Sequence, residues 1–154
     1  MEQRRFEELH QAVIAKAESE NEKANIRRNN AQRLTQIVFG LNQRLKMRIG
    51  PDIASVGGFE GNGDFRKDGF GFSEDDHMLF AIQVNFKDIS GKVILPVAVA
   101  LTARYLSDAK ILVKCEETGA GAEISVDAQM ADFDNVIDLL DIPLEKAVRI
   151  FASS

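Results

Sequence analysis

The segment Met78-Leu79-Phe80-Ala81-Ile82-Gln83-Val84-Asn85-Phe86-Lys87 decides the fold, because large apolar side chains alternate along it with small or polar ones. Successive side chains of a β-strand point to opposite faces, so the large residues would share one face. They are Phe80, Ile82, Val84 and Phe86. Such alternation is typical of an antiparallel sheet that covers a core on one side only, and it predicts a half-buried strand.

More strands and turns are predicted on the C-terminal side of this segment. Asp88–Gly91 predicts a turn, and Lys110–Glu117 alternates before a second turn at Thr118–Gly121. Residues 96–106 fit two structures. Valine and leucine alternate there as in a strand, whereas a leading proline followed by alanines also suits a helix. We favour a strand.

The first 49 residues contain no proline and a single glycine, Gly40, which predicts helix. Two apolar stripes have helical spacing. The first contains Phe6, Leu9 and Val13, and the second contains Ala31, Leu34, Val38, Leu41 and Leu45. The mostly polar residues Glu18–Asn30 separate the stripes, so two helices and one bent helix both fit. Gly50-Pro51 predicts the helix end.

The order of these elements predicts the fold class. Near the C-terminus, apolar residues at helical spacing follow Asp132 and again follow Pro143. We therefore expect an α+β fold: a helical arm at 1–49, followed at 50–154 by an antiparallel β meander of about four to six strands with C-terminal helices packed on it. A glycine-rich loop at 50–76 belongs to the second domain.

Composition indicates a folded protein of a reducing compartment. Hydrophobic residues make up 45% and charged residues 28%, which are ordinary values for globular domains. Cys115 is the only cysteine, so no disulfide forms within the chain. The longest apolar run, Val93–Leu101, is about half the length of a membrane-spanning helix. We expect a cytoplasmic protein that does not associate with a membrane.

The charges are divided unevenly along the chain. Residues 1–48 contain ten Lys and Arg against six acids, whereas the remainder contains nine against eighteen, and no acid occurs from 23 to 49. Opposite charges in one molecule can pair with each other across protein surfaces. The acidic remainder of the chain also repels phosphate, so we favour pairing with acidic protein surface over binding of nucleic acid. A nucleic-acid contact through the basic helix at 23–48 is the alternative.

The arm also predicts self-association. A helix of 48 residues would be about 72 Å long, which exceeds the roughly 40 Å diameter of a compact globule of this size. Its apolar stripe needs a cover, which the chain itself or a second copy can provide, and we favour the second copy. The predicted partner-binding residues are Leu34, Val38, Leu41 and Leu45 with Arg27, Arg28, Arg33 and Arg44.

The acidic loop from Asp64 to His77 has a partial likeness to a calcium-binding loop. Asp64, Asp68 and Asp75 occupy the first, fifth and twelfth positions, but Arg66 occupies the third, where an oxygen ligand is needed. With His77, these aspartates are the candidate ligands for any metal. We expect neither a metal nor another cofactor here.

Two other candidate reactive sites are incomplete in the sequence. Glu7-x-x-His10 has the spacing of a di-iron helix motif, but that site needs a second copy of the motif. Cys115 alternates with Ile111 and Val113, which predicts a buried side chain and not a nucleophile.

No intact catalytic motif is present, so the sequence favours a non-enzymatic protein-binding module. An adaptor, a regulator, a chaperone or a toxin-neutralising protein would fit, acting as a homodimer and binding another protein. The alternatives are a metal-dependent or small-ligand enzyme that uses the Asp64–His77 loop, and a nucleic-acid-associated protein that uses the basic helix.

Overall fold

The computed structural model describes residues 2–59, 63–69, 71–72 and 77–154. The protein is α+β, as predicted. Its helices are α1 (Gln3–Arg48), α2 (Met130–Asp138) and α3 (Asp141–Ala152). Its strands are β1 (Ala54–Phe59), β2 (Phe65–Lys67), β3 (Gly71–Phe72), β4 (His77–Lys87), β5 (Val93–Tyr105), β6 (Lys110–Cys115) and β7 (Gly121–Ser125).

The strands form one antiparallel sheet. Six of them follow the order β2-β1-β4-β5-β6-β7, and β3 pairs with β4 outside this path. The β4–β5 ladder is the longest and extends from His77 opposite Arg104 to Lys87 opposite Val93, with a register shift at Phe86 and Lys87. Residues 96–106 therefore lie mostly in strand β5, as predicted.

The polar segment at 18–30 is helical, and α1 is a single helical element. Gly50 follows it with φ 131°, a conformation that glycine adopts without steric cost. The chain divides into two compact units, unit 1 (Met1–Gln32) and unit 2 (Arg33–Ser154). The division falls inside α1 and not at Gly50, because the last turns of the helix belong to the core of unit 2.

The core of unit 2 lies between one face of the sheet and the helical residues of this unit. The alternation in β4 buries Phe80, Ile82 and Val84, as the sequence predicts, while Phe86 is partly exposed. The core joins these strand residues to side chains of α1 and to Val136, Ile137 and Leu140 from the α2 region. The predicted half-buried strand is thus confirmed.

Two contacts fix α1 against its neighbours in unit 2. Asn42 is buried, and its Oδ1 accepts a hydrogen bond from the backbone N–H of Val56 at 3.3 Å. Gly40 lies beneath the ring of Phe133, where an added Cβ would come within 2.7 Å of the ring. The missing side chain at residue 40 lets α2 pack closely on α1.

Among the described residues, no helix is both long enough and apolar enough to cross a membrane.

Candidate functional site

Unit 1 exposes apolar side chains along a helix. No described residue of Met1–Gln32 is buried. Phe6, Leu9 and Val13 expose 57%, 41% and 66% of their surface. Their spacing of three and four places them on one helical face. The first stripe predicted from the sequence is therefore open to a partner.

This face continues to the end of unit 1. At 3.6 residues per turn, eight positions fall within an arc of about 80°. We call them the seam: Phe6, Leu9, Val13, Ala17, Glu20, Ala24, Arg27 and Ala31. Large apolar side chains occupy its N-terminal part, and alanines dominate its C-terminal part. The seven-residue spacing of the three alanines is the sequence signal for this part of the seam.

The ion pairs described in the N-terminal part of unit 1 are local and exposed. Glu8 pairs with Arg4 at 3.7 Å and with Arg5 at 3.5 Å, and Lys16 pairs with Glu20 at 3.9 Å. The Phe6 and His10 rings lie 5.9 Å apart. Pairs of this type stabilise a helix by about 0.2–0.5 kcal/mol each. Because unit 1 contains six basic and six acidic residues, it has no net charge to repel a second copy.

The four predicted dimer residues lie in the core of unit 2. Leu34, Val38, Leu41 and Leu45 have relative exposures of 0%, 1%, 2% and 0%. The chain's own residues cover them, so contact with a partner would require the core to open. Their apolar stripe holds α1 to the rest of unit 2, which corrects the partner-binding role given to them above.

Arg44 contacts acidic residues of its own chain. Its Nε donates to Asp134 Oδ1 at 2.9 Å, and its Nη2 donates to Asp134 Oδ2 at 3.1 Å. Arg48 Nη1 lies 3.3 Å from the same Oδ1 and 4.0 Å from Asp138 Oδ1. The hydrogen bond from Arg44 is the largest cause that lowers the pKa of Asp134, and it also raises the pKa of Arg44.

The other predicted basic residues are spread over both units. Arg27 and Arg28 are exposed in unit 1. Arg33, in unit 2, lines an open groove of about 520 Å³ with Asp127 and Phe133. Burial raises the pKa of the nearby Tyr105 hydroxyl, and the charge of Arg33 opposes this shift. Two of the four predicted arginines therefore belong to unit 1 and two to unit 2.

The candidate metal ligands that the structure describes lie on different segments in and around the acidic loop. Asp64 is exposed, and Asp68 forms a turn with φ 59°. His77 begins β4 opposite Arg104, and Asp75 lies outside the described residues. Across the part of the chain that the structure describes, no group of three His, Cys, Asp or Glu side chains is placed to hold a metal.

The structure also shows the positions of the single cysteine and of the Glu7-x-x-His10 motif. Cys115 is fully buried in the core, which confirms its predicted burial. Glu7 and His10 are exposed on unit 1.

No family model matches the chain, and the searches found neither a curated protein nor a solved structure similar to it.

Proposed function

We propose that this chain is a non-enzymatic protein-binding module of the cytoplasm that works as a dimer, with unit 1 as the binding element. The observation that carries the proposal is the exposed apolar stripe of Phe6, Leu9 and Val13 in a unit without a buried described residue. An adaptor or regulator that presents unit 2 to another protein fits this division of the chain.

The physical reason is the origin of helix stability. Most of the stability of helices in proteins comes from packing of an amphipathic face and not from intrinsic propensity. Full burial of a large apolar side chain contributes about 1.5–3 kcal/mol. Burial of Phe6, Leu9 and Val13 against a second chain would therefore stabilise unit 1 more than its exposed ion pairs do.

The alternatives have weaker support. A phosphate backbone on the basic helix would compete with Asp134 for Arg44 and Arg48. At the start of that helix it would also approach Glu18, Glu20 and Glu22. An enzyme that uses the Asp64–His77 loop would need ligands beyond those that the described residues bring together.

Light scattering at micromolar concentration tests the proposal. We expect the wild type to be a dimer, and the double variant Leu9→Glu with Val13→Glu to be a monomer because two charges enter the stripe. Ile26→Glu is the matched control, since Ile26 is also exposed, at 53%, but lies off the seam. It should remain a dimer.

A monomeric wild type would contradict the proposal, as would a double variant that stays dimeric. Circular dichroism of each variant shows whether unit 2 remains folded. Nucleic-acid binding that is submicromolar at low salt and disappears in Arg27→Glu with Arg28→Glu would instead favour the nucleic-acid alternative.

A further inference from the structure

We infer that the binding partner of unit 1 is a second copy of this chain, paired antiparallel along the seam with Val13 of one copy beside Ala24 of the other. This inference rests on the proposed dimer and adds its geometry. In the same register, Phe6 of one copy lies beside Ala31 of the other.

Side-chain size favours this register. Phe6 and Val13 are seven residues apart, as are Ala24 and Ala31. One antiparallel alignment therefore places both large side chains opposite alanines at the same time. Interfaces pack well when large residues face small ones, because the side chains then fill the space without clashing.

Charge excludes the parallel arrangement. Glu20 and Arg27 lie on the seam between the alanines. In a parallel pair in register, each would face its own copy, and like charges would be brought together along the contact. Juxtaposition of like charges across an interface is unfavourable.

The antiparallel pair places the two Arg27 side chains about 25 Å apart along the helix axis, while the two Glu20 side chains lie three positions apart across its midpoint, each close to a lysine of the other copy. Glu20 then lies beside Ala17 and close to Lys16 of the second copy. Lys16 already lies 3.9 Å from Glu20 of its own chain, and both side chains are exposed enough to exchange partners. Arg27 lies beside Leu9 of the second copy, where its aliphatic stem can cover the leucine.

The overlap is long enough for a specific pair. Phe6 to Ala31 covers 26 residues, about 38 Å of helix and nearly four heptads, which is the length at which coiled-coil pairing becomes recognisable. The arrangement is isologous: the same surface is used by both copies, so the assembly closes at two chains.

Disulfide trapping tests the register in the full-length protein. Val13→Cys and Ala24→Cys variants are mixed and oxidised, and mass spectrometry identifies the cross-linked peptides. We expect the mixed 13–24 disulfide to exceed both the 13–13 and 24–24 products by at least tenfold. Native Cys115 is fully buried, and the oxidised wild type shows its background.

Ala15→Cys with Glu22→Cys is the matched control. Positions 15 and 22 lie level with each other in this register, as 13 and 24 do, but on the opposite side of the helix. They should not cross-link above the background. A 13–24 yield no greater than that of this control would overturn the seam, and predominant 13–13 and 24–24 products would overturn the antiparallel direction.

Failure of the inference can be separated from failure of the proposed function. A dimer in light scattering that lacks the 13–24 disulfide contradicts the register alone. A monomer in light scattering contradicts the dimer and, with it, the register.

Discussion

Arg44 and Asp134 are 90 residues apart in sequence and form a two-point ion pair that joins α1 to α2 within unit 2. Both oxygens of the carboxylate accept hydrogen bonds from the guanidinium, an arrangement that fixes direction as well as distance. Because the charged carboxylate is favoured, the pKa of Asp134 is lower in the folded protein than its ordinary value.

The first prediction concerns the pH dependence of this pair. A lowered folded-state pKa contributes stability above the unfolded-state value, and this contribution is lost as the pH falls through the folded-state pKa. Asp134→Asn should therefore be less stable than wild type at pH 7, and the difference should shrink toward pH 3. Urea denaturation at both pH values measures it. Asp138→Asn is the control, because the contact of Asp138 with Arg48 is longer. Equal stabilities of wild type and Asp134→Asn at pH 7 would contradict the prediction.

A second prediction concerns the buried stripe of α1. Leu41→Ala should lower the free energy of unfolding by about 2–5 kcal/mol, because it removes buried methyl groups and leaves a cavity. Met47→Ala, in the same helix but 70% exposed, should change it by no more than about 0.5 kcal/mol. The opposite result would be a Leu41→Ala variant with a changed oligomeric state and an unchanged urea midpoint of unfolding. That result would mean that Leu41 contacts a partner and not the core.

The third prediction tests the buried amide of Asn42. Asn42→Leu keeps the approximate volume but leaves the N–H of Val56 without its side-chain acceptor. An unsatisfied buried donor costs about 1–3 kcal/mol, and thermal or urea unfolding should show a loss of that size. Gln43→Leu, on the exposed side of the helix, is the matched substitution. Similar effects of the two changes would show that the hydrogen bond is unimportant.

The fourth prediction is a double-mutant cycle at Gly40 and Phe133. Gly40→Ala alone should destabilise the protein by about 1–3 kcal/mol, because the new methyl group overlaps the Phe133 ring. In a Phe133→Ala background the same change should stabilise by about 0.8–1.0 kcal/mol, the helix propensity gained by replacing glycine. An effect of the same sign in both backgrounds would mean that the ring moves aside.

The strands could be predicted because their pattern is local. Alternation of Phe80, Ile82 and Val84 specifies a face without reference to any distant residue. The proline at residue 96 left 96–106 open to two structures, and the alternation at Val97 and Val99 correctly indicated strand β5.

The surface that buries the apolar stripe of α1 could not be predicted in the same way. Helical spacing at Leu34, Val38 and Leu41 predicts that a stripe is buried, but it does not identify the surface that buries it. That surface is formed by residues up to about a hundred positions later in the chain. For the same reason the end of the helix at Gly50 predicts a domain boundary there, whereas the compact units divide after Gln32. The alanines of the seam carry little sequence signal, because alanine is common in every helix.

The separation of Arg44 and Asp134 also imposes an order in time. Translation at about 5–20 residues per second needs roughly 5–18 s to pass from one residue to the other. During that interval α1 can pack only on strands that already exist, first β1 and then β4. The ring of Phe133 can reach Gly40 only after all seven strands have been synthesised, so docking of α2 on α1 comes after synthesis of the whole sheet.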